Sequence, residues 1–117
     1  RMSEVYFAAY RRLDGGLQEC LAPACAAPLD VHLPAEGGWF GFGSAFRVYG
    51  EVLVPALGGR LSGFDGSPMP LASSVARLAA ERFRRGEVVD PALAAPLYVR
   101  DKVAMTTAER VALGGKA

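Results

Sequence analysis

Histidine occurs once in this 117-residue chain, at position 32, and cysteine twice, at 20 and 25. His32 and Glu36 stand four residues apart, the spacing of ligands on successive helical turns. Pro34 lies between them, however, and zinc needs a third protein ligand. His32 therefore reads as a loop histidine. A serine elbow of the G-x-S-x-G type is missing, since Gly43-Ser44 and Gly66-Ser67 each lack the second glycine. Cys20 and Cys25, five apart, fit neither a C-x-x-C redox pair nor a zinc knuckle. They read as reduced packing thiols, with Cys20 a small filler on one strand face; a disulfide is the other reading. No catalytic residue, metal ligand set or cofactor is assigned.

Two weaker patterns concern anions. Gly41-x-Gly43, at a strand-to-helix junction, could aim backbone N–H groups at a phosphate. The dinucleotide pattern G-x-G-x-x-G is broken by Phe46, so a tight turn is the plainer reading. Arg77, Arg82, Arg84 and Arg85, with Arg11 and Arg12, could form a basic patch for tRNA. With 13 basic and 12 acidic residues the net charge is only +1, which argues for a solvated helix face instead.

A composition of 51% hydrophobic and 21% charged residues is that of a globular domain rather than a disordered chain. Apolar runs stop well short of a membrane span. The opening Arg1-Met2-Ser3-Glu4 carries no secretory pattern, so a reducing cytoplasm is expected, as is a fragment beginning inside a longer protein.

The elements that must position these residues follow from periodicity. Residues 4–12 alternate as a strand, with Tyr6, Ala8 and Tyr10 on one face and Val5, Phe7 and Ala9 on the other; both faces read as covered. Asp14-Gly15-Gly16 supplies a turn, and residues 17–22 return antiparallel. Pro23, Pro28 and Pro34 make 23–38 a connecting segment with at most one helical turn. Residues 38–43 read as a short buried strand ending in a glycine turn. Residues 45–57 are ambiguous: Phe46, Tyr49, Val52 and Leu53 fit a helix, while Gly50 interrupts it and Val52-Leu53-Val54 suits a strand.

The clearest element is a helix over 70–85. Leu71, Val75, Leu78, Ala79 and Phe83 share one face, which is expected to pack on a sheet containing Val5 and Phe7, or Tyr6 and Tyr10. Ser67 is its expected N-cap and Gly86 its terminator. Glu81 is expected to pair with Arg77 and Arg85. Tyr6, Tyr10, Trp39 and Phe42 read as core or interface aromatics. Residues 97–100 read as strand-like, and the apolar Leu97-Tyr98-Val99 must either pair within its own domain or dock on another. One domain over 1–105 and a loose tail over 106–117 complete the division.

Three stretches together resemble the C-terminal half of the TsaB/YeaZ family of tRNA threonylcarbamoyladenosine biosynthesis proteins. They are residues 1–10 (Arg1 to Tyr10), Gly41-Phe42-Gly43-Ser44-Ala45-Phe46, and the segment 83–104. In the last, Ala95-Pro96-Leu97-Tyr98-Val99-Arg100 and Val103-Ala104 follow the family's closing signature, with Val99 in a leucine place. The resemblance implies a ribonuclease-H-like, ASKHA-type α/β domain with a mixed sheet and flanking helices, the second half of a two-domain protein. It implies a catalytically inert partner of TsaD, acting with TsaE in moving a threonylcarbamoyl group onto N6 of adenosine 37 of tRNA. tRNA would be met only through that complex, and homodimerisation would use the absent first half. Two other readings stand beside it: an M22-type peptidase, which older naming of the family suggests, and a nucleotide-binding module using Gly41 and Gly43.

Overall fold

In a computed structural model, residues 3–14 and 16–100 are described. Strands β1 (Val5–Leu13) and β2 (Gly16–Ala26) form the expected antiparallel hairpin. β2 runs four residues past its expected end, through Pro23 and Cys25. It does so because two register shifts opposite Phe7–Ala9 and Ala9–Tyr10 admit residues that a regular ladder would reject. Pro23 lies in the first irregularity, where its missing N–H interrupts no paired bond. Cys20 lies in the second and is exposed. The bulge breaks the alternation on which its reading as an apolar filler rested.

Only one face of β1 is covered. Val5 and Ala9 are buried and Phe7 half-buried, whereas Tyr6 and Tyr10 are exposed. A single 3-10 turn, Pro28–Asp30, follows β2, and His32 is exposed beyond it. Strand β3 (Trp39–Phe42) forms where expected but is not buried: Phe40 and Phe42 lie exposed, rings tilted 4.9 Å apart.

The ambiguous segment is helix α1 (Ser44–Leu57). Phe46, Tyr49, Leu53 and Leu57 recur at helical spacing and face the core. That set of tertiary contacts outweighs the β preference of Val52 and Val54. The cost of Gly50 is visible as a kink at Tyr49 (φ −125°, ψ 19°). Pro55, in the last turn, leaves the Glu51 carbonyl without its usual helical donor. α1 crosses over to strand β4 (Leu61–Asp65), which pairs parallel with β3. The core is Val5, Val31, Leu53 and Leu57, with Phe7, Leu33, Phe46, Tyr49 and Leu61 packed around it. Leu53 is 2% exposed.

Helix α2 (Ala72–Arg84) departs most from expectation. It starts after Leu71, with no side-chain cap, because Ser67 is engaged elsewhere: its N–H and Oγ both bond Asp65 Oδ1, at 2.8 and 2.7 Å. Gly86 (φ 73°) terminates it as expected, its N–H donating to the Phe83 carbonyl. No residue of α2 is buried. Leu71, Val75 and Leu78 are exposed and Phe83 is 72% exposed, so α2 does not pack on the sheet; α1 occupies that place. Glu81 pairs with Arg84, at 3.0 Å, rather than with Arg77 or Arg85. Arg82 and Arg85 both reach Glu87.

Residues 97–100 take no strand conformation, and Leu97 and Tyr98 are exposed. Arg100 instead ties this segment to Glu4 at 2.7 Å. The expected tail over 106–117, the closing Val103-Ala104 and the boundary at 105 lie outside the described residues. The architecture is a mixed α/β one, an antiparallel hairpin beside a parallel pair with its crossover helix. Among the described residues, no helix is long and apolar enough to cross a membrane.

Candidate functional site

The glycine turn lies where the sequence puts it, at the junction of β3 and α1. Gly43 takes φ 119°, a left-handed value that a side chain would strain, and its carbonyl accepts from Phe46 N–H at 3.2 Å. Its own N–H donates to the Asp65 carbonyl at 3.0 Å, tying the turn to the end of β4. At Gly41 a Cβ would collide with the Phe46 ring, which stacks on Phe64 at a centroid distance of 5.3 Å. Both glycines are therefore used by the fold: Gly41 makes room for a ring, and Gly43 makes the turn and spends its N–H on a strand. An incoming phosphate would have to compete with Asp65 for that donor.

A cleft of about 730 Å³ opens beside this turn, between β1 and β3. Its walls are apolar, with Val5, Phe7, Leu33, Trp39, Phe42 and Leu53 among the lining. Arg11 stands among the lining residues, its guanidinium 2.7 Å from Glu36 Oε2 and 5.5 Å from the Trp39 ring centroid. The Glu36 bond raises the Arg11 pKa further. Trp39 Nε1 in turn donates to the Glu36 carbonyl at 2.6 Å. These polar groups satisfy one another. Sequence reasoning missed this clamp, because Arg11 and Glu36 are 25 residues apart and no local pattern joins them.

The remaining candidates are not brought together. Glu36 is engaged by Arg11 rather than by His32, whose Nδ1 lies 3.4 Å from the Asp30 carbonyl and whose ring meets Phe7 edge-on. Burial pushes the Cys25 thiol pKa up, and nearby Glu4 pushes it further, the direction opposite to an activated nucleophile. Cys20 and Cys25 are both free thiols. Among the described residues no group of three His, Cys, Asp or Glu side chains could hold a metal ion. Of the proposed basic patch, Arg11, Arg82, Arg84 and Arg85 are each paired with a glutamate, so that much of its charge is neutralised.

An α/β chain whose glycine turn serves its own packing defines a fold better than a reaction, and comparison with known structures bears on that fold. No family model and no curated protein matches the chain. It is similar to the crystal structure of an uncharacterized protein with similarity to peptidase YEAZ from Pseudomonas aeruginosa, at 32% identity and a TM-score of 0.71, over 86% of this chain and 45% of that one. It is similar also to YeaZ from Pseudomonas aeruginosa, at 31% identity and a TM-score of 0.69, over 84% of this chain and 45% of that one. The chain is thus YeaZ-like, in agreement with the resemblance carried by residues 1–10, 41–46 and 83–104. It spans about 45% of the length of these neighbours.

Proposed function

We propose that this chain is the second, ribonuclease-H-like half of a YeaZ-like protein that serves as a non-catalytic partner subunit in tRNA threonylcarbamoylation. In this reading it works with TsaD and TsaE, and tRNA is reached through that complex. The observation that carries the non-catalytic part is the fate of Gly41 and Gly43. In a working phosphate loop the glycine backbone faces the ligand; here Gly41 faces the Phe46 ring and Gly43 N–H bonds Asp65. The protonated bias of Cys25 and the separation of His32 from Glu36 support the same reading.

The test is reconstitution. The complete polypeptide carrying residues 1–117 is combined with TsaD, TsaE and unmodified tRNA, and modification of adenosine 37 is measured with and without it. Modification that requires the polypeptide, with no peptide or ATP hydrolysis by the polypeptide alone, is the expected result. Peptide hydrolysis that His32→Ala abolishes would replace this reading with the peptidase one suggested by a neighbour's description. ATP turnover by the polypeptide alone would favour the nucleotide-binding module.

A further inference from the structure

We infer that the outer part of the β1–β2 hairpin is a hinged flap over the apolar cleft, latched shut by Arg11. The hairpin changes character at its second irregularity, opposite Ala9–Tyr10. Before it, Val5 and Ala9 are buried, and Leu21 and residues 23–26 are half-buried. Beyond it, from Tyr10 to Leu13 and from Gly16 to Cys20, every residue is exposed. A bulge leaves a residue unpaired and bends the strand, so it is where a ladder yields first. The inner half of the hairpin is therefore fixed in the core through Val5, whereas the outer half buries nothing that would fix it.

Arg11 is the side chain that ties this outer half down. Among the described residues no ladder joins the hairpin to β3 and β4. The cleft of about 730 Å³ lies between them, with Tyr10, Arg11, Arg12 and Leu17 of the outer hairpin on one side and Trp39 and Phe42 of β3 on the other. Arg11 crosses it, with Nη2 2.7 Å from Glu36 Oε2 and its guanidinium over the Trp39 ring. The receiving side is built in advance. Trp39 Nε1 donates to the Glu36 carbonyl at 2.6 Å, which holds carboxylate and ring together at the start of β3. Both partners of the ion pair stay exposed. An exposed pair holds weakly and is screened by salt, which suits a closure that opens and not a fixed joint. Release swings the outer hairpin about the bulge, leaves Val5 and Ala9 in place and opens the cleft wall to solvent.

The test is amide hydrogen exchange, taken relative to intrinsic rates, on the complete polypeptide carrying residues 1–117. Arg11→Gln is expected to speed exchange about three- to fivefold over 10–13 and 16–19 and to leave 5–9 and 21–26 unchanged. Glu36→Gln is expected to give the same pattern, and the double variant no more than Arg11→Gln alone, since both changes remove one contact. Arg12→Gln, one residue on and outside that contact, is expected to change nothing. In the wild type, salt at about 1 M is expected to reproduce the Arg11→Gln pattern. Hydroxyl-radical footprinting reads the cleft itself: Phe7, half-buried on its wall, is expected to be modified about twice as fast in Arg11→Gln. A silent Arg11→Gln, exchange that rises equally on both sides of the bulge, or effects of the two variants that add would overturn the inference. So would an unchanged Phe7, because the cleft would then be no more open than before.

Discussion

Helices α1 and α2 have 14 and 13 residues, each bears an apolar stripe, and they meet opposite fates. α1 is the poorer helix by local rules, with Gly50 and Pro55 inside it and a kink at Tyr49, yet Leu53 and Leu57 are buried. α2 contains neither glycine nor proline, carries arginines in its last turn and has a glycine stop, yet buries nothing. Local quality and burial are thus decoupled. An amphipathic stripe says that a helix is built for a partner; connectivity decides whether that partner is in the same domain. α1 is the crossover between two parallel strands, which holds it against their sheet, and its Leu53 and Leu57 meet Val5 of the hairpin; α2 follows the last strand of the described residues and is under no such constraint.

The contrast can be broken most sharply at Leu53. Leu53→Ala is expected to cost about 2–5 kcal/mol, seen as a large fall in melting temperature of the chain. A loss below about 1 kcal/mol would mean that α1 is not the core helix. Next in size is Gly66→Ala, where a Cβ would stand 2.9 Å from the backbone nitrogen of Arg47 in α1. The β4–α2 turn presses on α1 there, and the predicted cost is about 1–3 kcal/mol, measured by chemical denaturation. An unaffected midpoint would show that α1 and this turn are not in contact.

A smaller effect sharpens the other side. Hydrogen bonds from Arg85 and Arg82 hold the Glu87 carboxyl below the ordinary carboxylate range. The stabilisation is therefore complete above the ordinary carboxylate pKa and is lost as pH falls through the lowered one. Acidification should lower the protection of the Gly86 and Glu87 amides, whose N–H groups bond the last turn of α2, relative to their intrinsic exchange at each pH, and leave the protection of the amides around Leu53 unchanged. Glu87→Gln should remove that pH dependence. The smallest effect is expected at Phe83, where Phe83→Ala in the 117-residue chain should fall within about ±0.5 kcal/mol. A loss of several kcal/mol would place α2 back on this chain's own core.

What the sequence discloses divides along the same line. The hairpin was legible from alternation and Asp14-Gly15-Gly16, β3 from its aromatic run, and α2 from its period and Gly86. All of these are signals within a dozen residues. The nature of 45–57 was not legible, because its propensities conflict and only packing against Val5 and Val31 settles them. The cap at Ser67 failed because Asp65, two residues earlier, captures both its N–H and its hydroxyl in a local turn. Burial of Phe83 failed because periodicity identifies a face and not what covers it. At the site, the Gly41-Gly43 turn was legible in its position, and the absence of room for a ligand at Gly41 was not, since the ring that fills it is a matter of three dimensions. The Arg11–Glu36–Trp39 clamp left no local trace at all.

The irregular β2 strand has a consequence for the solubility of the whole molecule. Among the described residues its sheet has two strands, so one margin of β2 has no strand beside it, a template on which other chains could stack. Two extra residues in that strand coil it, and Pro23 removes one of the donors that stacking would need. A chain that leaves so many aromatic and aliphatic side chains in water is thereby given at least one margin on which fibrillar growth is hard to start.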